Sequence, residues 1–346
     1  MAILETFTVP HFHLPFRNSK HPEGRRANQE ATEWALRHGL IHEAAEDFAG
    51  IGFGHLSARV EHAASYEDVL LLSQWMAWSF VLDDQHDHLI RSGDVAAWLP
   101  VTRAIDTYLT DGDAGAALRS CDNPLVAGFI DLCDRILDGM TEPLRARYRL
   151  HVPAMLRSLD QEAVNRRAPG QPAVDDYVLM RRHSSQLLPM MDMVEAAHGI
   201  ALPPRVHQDP AFRELMWSAI DVVSWGNDIF SLRKEYSCGD NNNLASLLAW
   251  WHGWPLERAV ADVEERIHER VEDFLALSRD LPRILDALDV KDPVERADAE
   301  RCVRGYEDWM TGADMWQRYE CTRYDDERFV AGLESAYTRP DLVSAA

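Results

Sequence analysis

From about residue 27 onward, apolar residues recur at intervals of three and four, the period of a helix that buries one face. In "ANQEATEWALRHGL" Trp34, Leu36 and Leu40 fall near that spacing, with Gly39 at the end. The same pattern predicts helices over 66–90, 94–110, 124–139, 141–167, 174–198, 210–236, 243–250, 255–280 and 292–321. Period-two alternation is nearly absent, and no Asn-Gly or Asp-Gly pair joins two β-branched runs, so no sheet is expected. The first 25 residues break the pattern. There Pro10, Pro15 and Pro22 discourage a helix, while Phe7, Phe12 and Phe16 give an extended arm something to bury. "RRAPGQPAVDD" (166–176) and "CGDNNN" (238–243) read as loops. No repeat and no long linker divides the chain. One all-α domain over 26–336 is expected, preceded by the arm over 1–25 and followed by a disordered tail over 337–346.

The longest apolar stretch, "VLLLSQWMAWSFVL" (Val69–Leu82), is interrupted by Ser and Gln and falls short of the ~20 residues a membrane span needs. The N-terminus lacks the basic and apolar regions of a signal peptide. With 346 residues, 46% of them hydrophobic, and 11 Trp, the chain can bury a large core and line an aromatic interior. A net charge of −22 argues against nucleic acid as a partner. It still allows an anionic substrate, provided divalent metals neutralise it locally. Five scattered cysteines without a CxxC pair point to reduced thiols and a cytoplasmic location.

Candidate chemistry begins where the apolar run ends, in "SFVLDDQHDHL" (79–89). Asp83 and Asp87 are four apart and share a helix face, with Asp84 turned by roughly 100°. Like charges at this spacing repel, and the negative pole of a helix C-terminus deepens the cost. The arrangement therefore calls for a cation. Hard oxygen ligands suit Mg²⁺. His86 and His88 are two apart and point in different directions, which disfavours a transition-metal site. Taken alone, the segment is explained equally well by a solvated acidic helix end.

A second cluster changes the balance. In "WGNDIFSLRKEYSCGDNNN" the residues Asn227, Ser231 and Glu235 stand at i, i+4 and i+8, which aligns an amide, a hydroxyl and a carboxylate on one stripe. Asn and Ser are poor residues for a helix interior, so their presence at ligand spacing needs a reason. "DDQHD" at 83–87 followed by "NDIFSLRKE" at 227–235 resembles the metal-binding pair of bacterial class I terpene synthases. The second motif of that family, ND-[LIV]-x-S-x-x-[KR]-E, is met at Asn227, Asp228, Ile229, Ser231, Lys234 and Glu235. The arm "FTVPHFHLPF", the stretch "YVLMRRHSSQLLPMMDMVE", the loop "GDNNNLASLL" and "WQRYECTRYDD" extend the likeness over most of the chain.

The resemblance implies a helical bundle around a central cavity, and a cyclase that ionises an isoprenyl diphosphate with three Mg²⁺. Asp83 would be the main metal ligand of the first motif, supported by Asp84 and Asp87; Asn227, Ser231 and Glu235 would hold a further ion. Arg181, Lys234, Arg323 and Tyr324 would bind the diphosphate, with Arg182 and the pair Arg318–Tyr319 as neighbouring decoys. Ser184 and Ser185 stand at the family's helix-break position. Phe80 and Trp316 are placed first in the cavity, ahead of Phe53, Trp75, Trp78, Trp217 and Trp309, which fit an ordinary core. Farnesyl diphosphate is the first substrate by analogy, geranylgeranyl diphosphate the second, geranyl diphosphate the third, and a homodimer accords with the family. Two rivals remain. A trans-prenyltransferase would want a second DDxxD, and a non-catalytic helical scaffold would leave both clusters solvated.

Overall fold

In the computed structural model the described residues are 7–42, 44–92, 98–238, 240, 242–324, 339 and 342–343, excepting the side chains of 89–92, 237 and 238. Among them every regular element is helical. In chain order these are α1 (Gly24–Arg37), α2 (Ala45–Ala49), α3 (Phe53–Val60), α4 (Tyr66–Ser92) and α5 (Trp98–Thr110). Next come α6 (Gly112–Ala117), a 3₁₀ turn at Leu118–Ser120, α7 (Pro124–Asp138), α8 (Glu142–Arg167), α9 (Val174–Ser184) and α10 (Leu187–Ala197). The chain closes with α11 (Pro204–Gln208), α12 (Pro210–Cys238), α13 (Leu244–His252), α14 (Leu256–Ala287) and α15 (Pro293–Tyr319). No helix among the described residues is long and apolar enough to cross a membrane.

Helix starts follow local chemistry. Asn123 accepts from the backbone N–H groups of Leu125 and Val126 ahead of Pro124, and Asp292 accepts from Val294 N–H ahead of Pro293. The core is aromatic at its centre: Trp75 lies 5.1 Å from Trp78 and 5.8 Å from Tyr148, and Trp78 lies 5.2 Å from Phe129. The non-helical segment before α1 docks by edge-to-face contacts, Phe12 on Phe230 and Phe16 on Phe274. It thereby straps α12 to α14.

One expected helix is wrong. The continuous helix over 174–198 is broken, because Gln186 takes a left-handed conformation (φ 65°, ψ 5°) between α9 and α10. Pro189 supplies the reason. In an unbroken helix it would leave the Ser185 carbonyl without a donor and clash with it, whereas in the first turn of α10 its missing N–H costs nothing. α10 is buried at every position from Leu187 to Glu195, so its apolar residues mark no face whose phase could reveal the break. The short helices α2, α3, α6 and α11 were not expected, being too short to establish a period. Most of the expected tail 337–346 lies outside the described residues. Of those described, Leu342 and Val343 are buried, and the Leu342 carbonyl accepts from Asn123 Nδ2 at 2.6 Å.

Candidate active site

Three helices build the site with a common gradient. On α4, Met76, Phe80, Asp83 and Asp87 follow one another on a single face and line one cavity. On α12 the lining is Val223, Ser224, Asn227, Ser231, Lys234 and Glu235. On α15 it is Trp309, Ala313, Trp316 and Gln317, continued beyond the helix by Arg323 and Tyr324. Along each wall the lining passes from apolar to polar toward the helix C-terminus. The result is an apolar interior, extended by Leu56 and Met190, beneath a polar mouth. Ser184, Ser185 and Gln186 at the break between α9 and α10 supply another wall.

At the mouth the two motifs face each other. Lys234 Nζ lies 3.8 Å from Asp87 Oδ2, and Arg166 Nη2 lies 2.9 Å from Asp87 Oδ1. Arg323 Nη2 is 3.6 Å from Asp83 Oδ2. Asp84 turns away from the cavity lining and takes the fork of Arg323 at 2.7 and 3.1 Å. Arg181 donates to Asn227 Oδ1 at 2.8 Å, and Asn227 Nδ2 donates to the Tyr324 hydroxyl at 2.8 Å. Ser231 Oγ donates to the Asn227 carbonyl at 2.8 Å, while Asn243 Nδ2 donates to Glu235 Oε2 at 2.8 Å.

The acids are crowded. Burial, and then Asp87, push the Asp83 carboxyl up to about 6. Burial, Asp240 and Asp228 push Glu235 up to about 7. Burial also works against Asp87, but Arg166 and Lys234 hold it below the usual carboxylate range. Among the described residues no three His, Cys, Asp or Glu side chains converge as a ready-made metal cage. The oxygen donors stand instead as two carboxylates on α4 opposite an amide, a hydroxyl and a carboxylate on α12. Under-neutralised hard donors on two facing walls fit a divalent cation that also takes oxygens from a ligand. No histidine is among the described residues lining this cavity, and His86 is buried 4.9 Å from the Trp98 ring.

Three side chains to which sequence reasoning assigned no role, Asp228, Arg166 and Glu162, support the site. Asp228 is fully buried and accepts from Arg181 Nε at 3.0 Å, Tyr177 Oη at 2.6 Å and Leu244 N–H at 2.9 Å. It stands at a specified position of the second motif, but it is turned off the ligand stripe, so no site role was assigned to it. Arg166 joins Asp87 to Asp240, tying α8 and Asp240 to α4. Glu162 lines the same cavity, its carboxyl pushed up to about 8 by burial. The decoys lie elsewhere. Arg182 forks onto Asp221 at 2.7 and 2.9 Å, Arg318 pairs with Asp314, and Tyr319 is exposed. Phe53 packs behind Phe80 at 5.0 Å, and Trp309 lines the cavity.

A gradient of this kind, with motifs of this composition, defines a class of protein. The family model "Terpene synthase family 2, C-terminal metal binding" matches residues 74–273, and the chain belongs to that family. It is a terpene synthase, a carbon–oxygen lyase acting on a diphosphate. Among similar proteins, pristinol synthase of Streptomyces pristinaespiralis is 31% identical, over 94% of this chain and 87% of its own. Pentalenene synthase of Streptomyces avermitilis is 30% identical, over 94% and 96%. The crystal structure of germacradien-4-ol synthase from Streptomyces citricolor superposes with a TM-score of 0.78 at 26% identity, covering 90% of this chain and 99% of that one.

Proposed function

We propose that the enzyme cyclises a linear isoprenyl diphosphate in a Mg²⁺-dependent reaction, with farnesyl diphosphate the first substrate and geranylgeranyl diphosphate the second. The product would be a terpene hydrocarbon or alcohol. The observation that carries this reading is the gradient itself: cationic and oxygen-rich groups at the mouth of a cavity whose interior is apolar and aromatic. Asp83 and Asp87, with Asp84 held behind them by Arg323, and Asn227, Ser231 and Glu235 opposite would hold three Mg²⁺ together with the diphosphate. When bound, the metal would neutralise the departing diphosphate and so assist ionisation.

The chain's own groups would do the rest. Arg181 and Arg323 present planar forks suited to phosphate oxygens, and Lys234 adds a point charge. Tyr324 would donate its hydroxyl to the same group. Arg323, Arg166 and Lys234 now pair with the carboxylates of α4, so substrate entry would exchange internal partners for metal and phosphate. Below the mouth, Phe80, Trp309 and Trp316 would face the allylic cation, each ring contributing roughly 0.5–2 kcal/mol. The apolar walls would exclude water until the rearranged cation loses a proton. A cytoplasmic location belongs to the same reading, from scattered cysteines that lack a CxxC pair. A homodimer is part of the same reading.

The test is direct. Purified enzyme is incubated with geranyl, farnesyl or geranylgeranyl diphosphate, with and without Mg²⁺, and extracts are analysed by gas chromatography–mass spectrometry. Cyclic products from farnesyl diphosphate, dependent on Mg²⁺, are expected. Prenyl elongation products, or release of nothing from any of the three, would overturn the proposal.

A further inference from the structure

A second cavity of about 600 Å³ lies outside the active site, bounded by α8, the 200–208 segment, the start of α12 and Tyr306 of α15. That volume falls within the roughly 300–1,000 Å³ of small-ligand sites. The carboxylates behind its wall pair with Arg147 and two histidines, while the buried Nδ1 of His183 has no hydrogen-bond partner among the described residues. Arg147 Nε donates to Asp192 at 2.6 Å and its Nη2 lies 2.6 Å from Glu195; His151 Nδ1 is 2.7 Å from Asp192, and His207 Nε2 is 3.2 Å from Glu195. Each of the two carboxylates thus has Arg147 and one histidine as partners. Arg213 stands at the exposed rim. The greater part of the wall is apolar, with Leu144, Leu188, Ile200, Phe212, Met216 and Trp217 among its lining residues.

We infer that this cavity is a second binding site, for a neutral, apolar small molecule of isoprenoid size. A charged ligand would enter a wall whose ions are already paired, whereas a hydrocarbon exchanges water for Phe212, Met216 and Trp217. The site backs directly onto the active cavity. His183 and Leu188 line the second cavity, and between them in the chain Ser184, Ser185, Gln186 and Leu187 line the first. An occupant therefore packs against the rear of the helix break whose front faces the substrate.

The test counts sites with the neutral dye N-phenyl-1-naphthylamine, by fluorescence titration of the full chain. Ala146→Trp and Met216→Trp plug the cavity from α8 and from α12, and neither residue belongs to the mouth of the active site. Each variant should bind one equivalent fewer than the wild type, with helicity by circular dichroism and turnover retained. Two variants guard against either one failing to fold. Equal stoichiometry in the wild type and both variants would overturn the proposal. So would a wild-type stoichiometry that falls as protein concentration rises, since a second copy of the chain would then cover the opening.

Discussion

Arg181 on α9 is held by Asp228 on α12, its Nε 3.0 Å from Oδ1, while its Nη2 reaches Asn227 one residue earlier. The cation aimed at the cavity and a candidate metal ligand are thus fixed by adjacent residues of one helix. Asp228 also takes the Tyr177 hydroxyl and the Leu244 N–H, so α9, α12 and α13 meet at this one buried carboxylate.

Replacing Asp228 should therefore injure both stability and turnover. Asp228→Ala leaves the buried Arg181 uncompensated, a loss on the order of 3–5 kcal/mol. Asp228→Asn preserves shape and some hydrogen bonds but removes the charge, and should cost about 1–3 kcal/mol. Urea denaturation gives the stability, and kcat with farnesyl diphosphate gives the positioning effect. Wild-type kcat in a folded Asp228→Asn enzyme would show that Arg181 does not depend on this anchor.

Asn227→Ala and Glu235→Ala should separate function from fold. Neither side chain belongs to the apolar core, and each would act through the metal. Turnover should fall by about a hundredfold or more, on the scale of an electrostatic catalytic group. Far-UV circular dichroism should be unchanged. Near-wild-type product formation in both variants would remove α12 from the metal site.

Much of this was legible in the chain, and the failures have physical causes. A long helix such as α14 was visible because it buries one stripe, with Val260, Val263, Ile267 and Val271. Asn227, Ser231 and Glu235 stood out because Asn and Ser are costly inside a helix. The roles of Asp228, a motif position, and of Arg166 were not legible, because they lie in partners distant in sequence: Tyr177 and Arg181 for one, Asp87 and Asp240 for the other. The break at Gln186 was encoded in Pro189, a local stereochemical signal that an apolar-period reading passes over.

The adjacent arginines offer a sharper contrast. Arg181 faces the cavity, whereas Arg182 is spent on Asp221 and lies 5.3 Å from the Trp217 ring. Arg181→Lys keeps a charge but loses the planar fork, so kcat/KM should drop by tenfold or more. Arg182→Ala should change kcat/KM less than threefold, with its loss appearing in thermal stability instead. Steady-state kinetics on both variants reads the difference, and equal losses would mean that the two arginines had been told apart wrongly.

Acid stability should report the network behind the second cavity. Burial works against the Glu195 carboxylate, but Arg147 and His207 hold its pKa down to about 2. A carboxylate depressed in the folded state stabilises the fold above its unfolded pKa, and that contribution disappears as pH falls through the folded value. From the ordinary value of 4.5 to about 2, the linkage amounts to on the order of 3 kcal/mol. The wild type should lose that amount between about pH 4.5 and 2. Glu195→Gln, which cannot ionise, should be less stable at pH 7 and converge on the wild type near pH 2. Chemical denaturation across this range checks it. Parallel stability curves for the two proteins would mean that the pairing of Arg147 with Glu195 contributes nothing to the fold.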